Sequence, residues 1–256
     1  GDIRDFDTVC RAIEGCDLVF HQAALVSVPR SIKEPKLNHD VNVTGTFHVF
    51  EAARRVGIRR VVYASSAAVY GDTPNLPASE SDPPNPISPY AVAKLMNEQM
   101  ATVYNRNYHT QFVGLRYFNV FGPRQDPSSP YSGVLSIFCK AVVAGKGVTI
   151  FGDGEQTRDF VFVKDVVSAN LAAAEMEVSG VFNIGQGKAV SLREVVRIIE
   201  DISRRPLPIT FAPSRPGDIR HSLADISLAK QKQLICYPTT CISEGIHQLL
   251  YSFGFG

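Results

Sequence analysis

Arg60-Val-Val-Tyr-Ala-Ser-Ser-Ala-Ala-Val-Tyr-Gly71, followed after a proline-rich stretch by Ser88-Pro-Tyr-Ala-Val-Ala-Lys94, decides how this chain folds. Arg60 to Ser65 is a β-branched and aromatic run, the mark of a buried strand. Ser88 reads as a helix N-cap and Pro89 as the first helical position. Tyr90 and Lys94 then stand about one turn apart, so phenol and ammonium share one helix face. A cation there favours the phenolate and is expected to lower the tyrosine pKa. A tyrosine tuned toward neutral pH acts as a general base on a sugar or alcohol hydroxyl. A serine at the neighbouring strand end would hold the same oxygen. The pattern points to alcohol-to-ketone redox chemistry, which needs a hydride acceptor that no side chain supplies.

The pattern repeats on both sides. Asp17-Leu-Val-Phe-His-Gln-Ala-Ala24 is a short apolar strand ending in small residues. A helix around Asn38 to Val56 follows, closed by Gly57. The helix opened by Ser88 runs to about Arg106, and Phe112 to Phe118 is a third strand. Strands alternating with helices predict a parallel α/β sheet. Beyond Gly122 come a polar loop, a helix Val134 to Ala144, and a short strand Val148 to Phe151. Phe160–Val163 and Val181–Ile184 read as strands around a helix Lys164 to Glu177. Ser191-Leu-Arg-Glu194 is a capping box for a helix to about Ser203, with Val195, Val196, Ile198 and Ile199 as core. Ile242 to Leu250 is a final amphipathic segment. The expected division is a partial dinucleotide-binding domain, 1–122 with 158–185 returning. A smaller substrate-binding region comprises 123–157 and 186–256.

The chain has 256 residues, 45% hydrophobic and 20% charged, an ordinary globular balance. A net charge of +1 gives no bulk electrostatic case for nucleic acid or membrane binding, and no apolar stretch is long enough for a bilayer. Cys10, Cys16, Cys139, Cys236 and Cys241 show no metal-ligand spacing, so no metal is expected. Their odd number and scatter favour reduced thiols and a cytoplasmic location.

Further motifs extend the pattern. They are Gly1-Asp-Ile-Arg-Asp5, His21-Gln-Ala-Ala24, Asn42-Val-Thr-Gly-Thr46 and Leu115-Arg-Tyr-Phe-Asn-Val-Phe-Gly122. Two more are Gly152-Asp-Gly-Glu-Gln-Thr-Arg-Asp159 and Arg215-Pro-Gly-Asp218. With the serine run and the Tyr90–Lys94 pair, these resemble the extended short-chain dehydrogenase/reductases, within them the nucleotide-sugar 4-epimerases. The resemblance implies a Rossmann-like, doubly wound parallel sheet and NAD as cofactor. One departure is large. The family's Gly-rich turn, which holds the pyrophosphate at a helix N-terminus, has no counterpart here. The chain begins where the family's third strand ends, so it is expected to be N-terminally truncated. The Asp17–Ala24 strand would then form an open sheet edge. The residue that chooses NAD over NADP would be missing too.

The resemblance also implies roles. Tyr90 takes the C4 hydroxyl proton, Ser66 holds the C4 oxygen, and Lys94 holds the cofactor ribose. Hydride leaves C4 for the nicotinamide and returns to the opposite face of a 4-keto sugar. Asp2, Ile3, Gln22, Ala23, Ala24, Asn42, Ser65, Tyr117 and Val120 join Tyr90 and Lys94 as cofactor contacts. Ser27, Asn119, Arg158, Arg215, Asp218 and Ser222 join Ser66 and Tyr90 as substrate contacts. Ala67 and Ala68 stand where the family's dehydratases carry acidic residues, so elimination is disfavoured. A small Ser222 leaves room for a 2-N-acetyl group, which points to UDP-N-acetylglucosamine/UDP-N-acetylgalactosamine. UDP-glucose and UDP-hexuronate epimerisation stay open. So do a non-catalytic dinucleotide-fold sensor or scaffold and an inactive fragment. From the residues alone, His21 reads as a satisfied core histidine, Asp153 as a turn residue, and Arg158 as a partner for phosphate or Asp159. A homodimer is expected through helices 38–56 and 90–106, with Phe47, Phe50, Met96 and Met100 either on their outward faces or in the core.

Overall fold

The computed structural model describes residues 1–127, 133–214, 219–235 and 239–255. The chain opens with α1 (Phe6–Ile13), β1 (Leu18–His21), α2 (Val28–Lys33) and α3 (Pro35–His39). A π-helical turn, Asp40–Thr44, leads into α4 (Gly45–Val56) and then β2 (Arg60–Ser66). A 3-10 turn, Ala67–Tyr70, precedes α5 (Pro89–Asn107), β3 (Gln111–Tyr117) and β4 (Asn119–Phe121). Next come α6 (Val134–Val143), β5 (Val148–Phe151), β6 (Thr157–Phe162), α7 (Val163–Glu175) and β7 (Gly180–Ile184). The remainder is β8 (Ala189–Ser191), α8 (Leu192–Ser203), β9 (Ile209–Ala212), α9 (Ser227–Gln231) and α10 (Ile242–Ser252).

The main sheet is parallel throughout, in the order β1-β2-β3-β7. Its interior strands are apolar because helices cover both faces; Val61, Val62, Phe112, Val113 and Leu115 are fully buried. The register sets Ser66 opposite Tyr117 and Tyr117 opposite Ile184, so the carboxyl ends of β2, β3 and β7 meet along one edge. Ligands bind α/β sheets along such an edge. β1 pairs only with β2 and forms the outer strand, with Phe20 42% exposed.

Two smaller sheets stand apart, β4-β6-β8 and β5-β9. The 157–162 strand therefore pairs with β4 rather than with the main sheet, whereas β7 does join it. A second apolar cluster, including Phe121, Leu135, Phe162, Val195, Ile199 and Leu249, sits among α6, α8, α10 and these strands. Ile198 packs against it from a half-buried position.

Helix ends follow the sequence signals. Ser88 Oγ accepts from the Ala91 amide at 3.2 Å and Ser191 Oγ from the Glu194 amide at 3.1 Å. Gly57 closes α4 at φ 82°. The expected helix 38–56 begins earlier, at Pro35, and is interrupted by the π turn. The four large side chains of helices 38–56 and 90–106 divide between core and surface. Phe50 is fully buried, with ring centroids 4.6 Å from Phe112 and 5.2 Å from Tyr63. Phe47 and Met96 are exposed, and Met100 packs against the core beside Phe50.

Phe50→Ala is expected to cost about 3–5 kcal/mol in urea unfolding, whereas Phe47→Ala should cost about 0.5 kcal/mol or less.

Candidate active site

One cavity of about 480 Å³ opens at the carboxyl ends of the main sheet. Ser66, Tyr90, Asn119, Arg158 and Ser222, which are far apart in the chain, all line it. Two backbone stitches bring its walls together. Ala78 and Ala224 form a β-bridge, with the Ala78 amide donating to Leu223 O at 2.8 Å. Thr157 bridges His221, and the Ser222 amide donates to Thr157 O at 3.2 Å, which sets Ser222 beside Arg158. Asp159 does not hold Arg158. Its buried carboxylate accepts from the backbone amides of Gln186, Gly187 and Ala224 at 2.6, 2.9 and 3.1 Å. Burial still pushes that carboxyl up to about 6. Arg158 donates instead to the carbonyls of Thr157 and Arg220, at 2.8 and 3.2 Å. Asp153 is a turn residue, ion-paired with Arg220 at 2.9 Å.

Helix α5 presents the central pair. Tyr90 and Lys94 are both buried, the Lys94 ammonium 5.7 Å from the Tyr90 ring centroid. Lys94 Nζ donates to the Ala64 carbonyl at 2.7 Å, which ties the helix to the end of β2. The expected lowering of the tyrosine pKa is not what the site shows. Burial dominates and pushes the phenol above its ordinary range, and only the neighbouring Ser66 hydroxyl pulls it back. The ammonium is spent on a carbonyl, 5.7 Å from the Tyr90 ring centroid. Burial also pulls Lys94 down to about 8, opposed by the Glu98 carboxylate. Ser66 caps the 3-10 turn, accepting from the Ala68 amide at 3.2 Å.

The other expected contacts divide. Tyr117 lines the cavity, its hydroxyl donating to Asn170 Oδ1 at 2.9 Å and to Gln22 Oε1 at 3.3 Å. Ala23 and Ala24 follow Gln22 at the end of β1, and Val120 lies half-buried in β4. Asn42, in the π turn, is a latch. Its side chain accepts from the Leu25 amide at 2.8 Å and donates to the Leu25 carbonyl at 3.0 Å, pinning the loop after β1. Ser27 is not among the residues lining the cavity; its hydroxyl caps α2, accepting from the Arg30 amide at 3.0 Å. The Ser65 hydroxyl is given to Glu98, so it is not free for a ligand. Asp2 is exposed and pairs with Arg4 at 2.6 Å. Ile3 packs against Gly45, and its carbonyl meets His48 Nδ1 at 3.0 Å. Arg215 and Asp218 lie outside the described residues. Asn170, Glu98, Arg116 and Asn183 were missed. Only Glu98 left a signal, since it continues the four-residue spacing of Tyr90 and Lys94.

A model of the NAD dependent epimerase/dehydratase family matches residues 1–185. The chain belongs to this family. It is 41% identical over 239 residues to the UDP-glucose 4-epimerase of Mycolicibacterium smegmatis, covering 93% of this chain and 76% of that one. It superposes with a TM-score of 0.94 and 38% identity on a UDP-N-acetylglucosamine 4-epimerase from Methanobrevibacter ruminantium bound to UDP-N-acetylmuramic acid, covering 99% and 81% of the two chains. It also matches the UDP-glucuronic acid 4-epimerase of Bacillus cereus, in complex with UDP-glucuronic acid and NAD. That match has a TM-score of 0.90 and 32% identity, covering 99% and 80%.

The sheet edge fits NAD. Gln22, Tyr117 and Asn170 form a hydrogen-bonded polar cluster next to the small Ala23 and Ala24, and the buried Lys94 is tied to the end of β2. Among the described residues, no helix is long and apolar enough to cross a membrane. Nor does any group of three or more His, Cys, Asp and Glu side chains converge to hold a metal.

His21 is buried, with Nε2 3.0 Å from Thr46 Oγ1. Burial, then the Lys94 charge, pulls its pKa from 6.5 down to about 3. The unfolded chain takes up a proton near pH 6.5 that the folded chain refuses. The stability from neutral His21 is therefore full above pH 6.5 and lost as pH falls toward 3. Between pH 7 and pH 5 the loss should be about 2 kcal/mol. Urea unfolding at both pH values, set against His21→Gln, measures it; the variant should lose correspondingly less.

Proposed function

We propose that this NAD-dependent UDP-sugar 4-epimerase, an isomerase, acts on an N-acetylated hexosamine, interconverting UDP-N-acetylglucosamine and UDP-N-acetylgalactosamine through a 4-keto sugar. The observation that carries the reading is the shared cavity. Ser66, Tyr90, Asn119, Arg158 and the small Ser222 line it together. Arginine suits the diphosphate because its planar fork matches paired phosphate oxygens. Ala67, Ala68 and Leu76 line the same cavity. They favour a neutral sugar with an apolar methyl over a uronate, whose carboxylate needs a cation.

Tyr90 accepts the proton of the C4 hydroxyl, and Ser66 hydrogen-bonds the C4 oxygen as it becomes a carbonyl. Bound NAD would supply a reversible hydride acceptor, its nicotinamide ring cationic in the oxidised form that takes the hydride. Gln22, Ala23, Ala24, Asn170, Tyr117 and Lys94 would hold it, Lys94 at the ribose. Lys94 then stabilises the phenolate by charge across the ring rather than by a hydrogen bond. With Ala67 and Ala68 beside Ser66, no carboxylate stands ready to expel water, so the protonation cycle ends in inversion at C4. Arg158 and Asn119 hold the diphosphate while the keto sugar turns. We assign cofactor contacts chiefly to 1–122 with 158–185 and nucleotide contacts to 123–157 and 186–256. The exposed Phe47, Val92, Met96 and Val103 on α4 and α5 suit a homodimer face.

Turnover of UDP-N-acetylglucosamine and UDP-glucose by the full-length protein, read by NMR of the products, tests the substrate. The acetamido sugar should have the higher kcat/KM. Ser222→Tyr should lower its kcat/KM by about tenfold or more and spare UDP-glucose. A clear preference of the parent for UDP-glucose overturns the reading.

A further inference from the structure

Tyr90, Lys94 and Glu98 occupy three successive turns on one face of α5. Each meets a residue at the carboxyl end of β2. Tyr90 stands by Ser66, Lys94 donates to the Ala64 carbonyl, and Glu98 accepts from the Ser65 hydroxyl. The Glu98 and Arg116 side chains are each 4% exposed. They form a two-pronged pair, Nε to Oε1 at 2.9 Å and Nη2 to Oε2 at 2.7 Å. The third prong of Arg116 donates to the Tyr70 hydroxyl at 2.8 Å, and that hydroxyl donates to Asn183 Oδ1 at 2.7 Å. Tyr70 ends the 3-10 turn that Ser66 begins. One buried carboxylate thus grips the residue before Ser66 directly and the turn after it through Arg116 and Tyr70. Neither Glu98 nor Arg116 lines the cavity. A buried ion pair adds little net stability over a well-packed apolar pair, so stability alone explains this one poorly.

We propose that Glu98 is a positioning residue for the Ser66–Tyr90–Lys94 set: paired with Arg116, it fixes the strand end that presents Ser66 and supplies the negative charge that balances the buried Lys94 ammonium. This rests on the epimerase reading of the site. The titratable and charged groups around Lys94 and Glu98 are Tyr90 on α5, His21 on β1, Tyr63 on β2, Tyr70 on the 3-10 turn and Arg116 on β3. Burial keeps His21 and the tyrosines neutral; Glu80 also faces this network, at Tyr70 and Arg116, but the carboxylate whose charge acts on Lys94 is Glu98. Lys94 holds its proton against burial with help from that anion.

Glu98→Gln keeps the shape and removes the charge. Lysine ¹³Cε NMR reads the Lys94 titration directly, without reference to turnover. In Glu98→Gln the Lys94 titration should move down by about one pH unit. In the full-length enzyme kcat should fall between about ten- and a hundredfold with KM nearly unchanged, and the alkaline limb of the kcat profile should move down in step. Arg116→Gln removes a cation instead, so the Lys94 titration should rise or stay. A Glu98→Gln protein that only melts earlier, with Lys94 titrating as in the parent, overturns the proposal. So does a downward shift in Arg116→Gln, which serves alone if Glu98→Gln fails to fold. If the parent turns over no UDP-sugar while both titrations behave as stated, the epimerase reading fails and the electrostatic role of Glu98 stands.

Discussion

The hydrogen bond from Lys94 to the Ala64 carbonyl joins the longest helix of the described structure to the central region of its main sheet. A buried ammonium needs an acceptor, because an unpaired charge in a packed interior is costly. The carbonyl that satisfies it lies two residues before Ser66, so meeting the needs of the lysine also sets the distance between the serine loop and the tyrosine. The same helix turns Asn97 toward the π turn, where its amide donates to the Asn42 carbonyl at 3.0 Å. Asn42 in turn holds the loop after β1. Strand end, helix and loop are thereby fixed as one unit.

The parts of the fold set by local chemistry were legible in the sequence. Ser88-Pro89, Gly57 and the Ser191–Glu194 box marked helix ends because each satisfies backbone groups that would otherwise lack partners. The runs Asp17–Ala24, Arg60–Ser65, Phe112–Phe118 and Val181–Ile184 marked all four strands of the main sheet. Some short elements were not legible. α1, α2, β4, β8 and β9 are too short for a periodic pattern, and packing against distant segments holds them. The π turn at Asp40–Thr44 was equally hidden, since nothing in its composition separates it from an ordinary helix.

The candidate site divides in the same way. Residue types and spacing located Ser66, Tyr90, Asn119, Arg158 and Ser222, and all five share the cavity. Geometry the sequence does not carry changed the rest. Ser27 and Ser65 look alike as free hydroxyls in a sequence, yet one is spent on a helix cap and the other on a buried carboxylate. Phe50, three residues from Phe47, could have shared its face of the helix, yet it lies against Phe112 and Tyr63 in the core while Phe47 stays exposed. The expectation about the tyrosine pKa failed for an electrostatic reason. Proximity of a cation was weighed, and the larger effect of burial was not.

The central claim is that one buried phenol carries the proton in an epimerisation cycle. Tyr90→Phe in the full-length protein tests it most directly, with NAD binding followed by calorimetry and turnover followed on a UDP-sugar. The account predicts NAD affinity within about twofold of the parent and turnover at least about a hundredfold lower. Turnover close to that of the parent would contradict it.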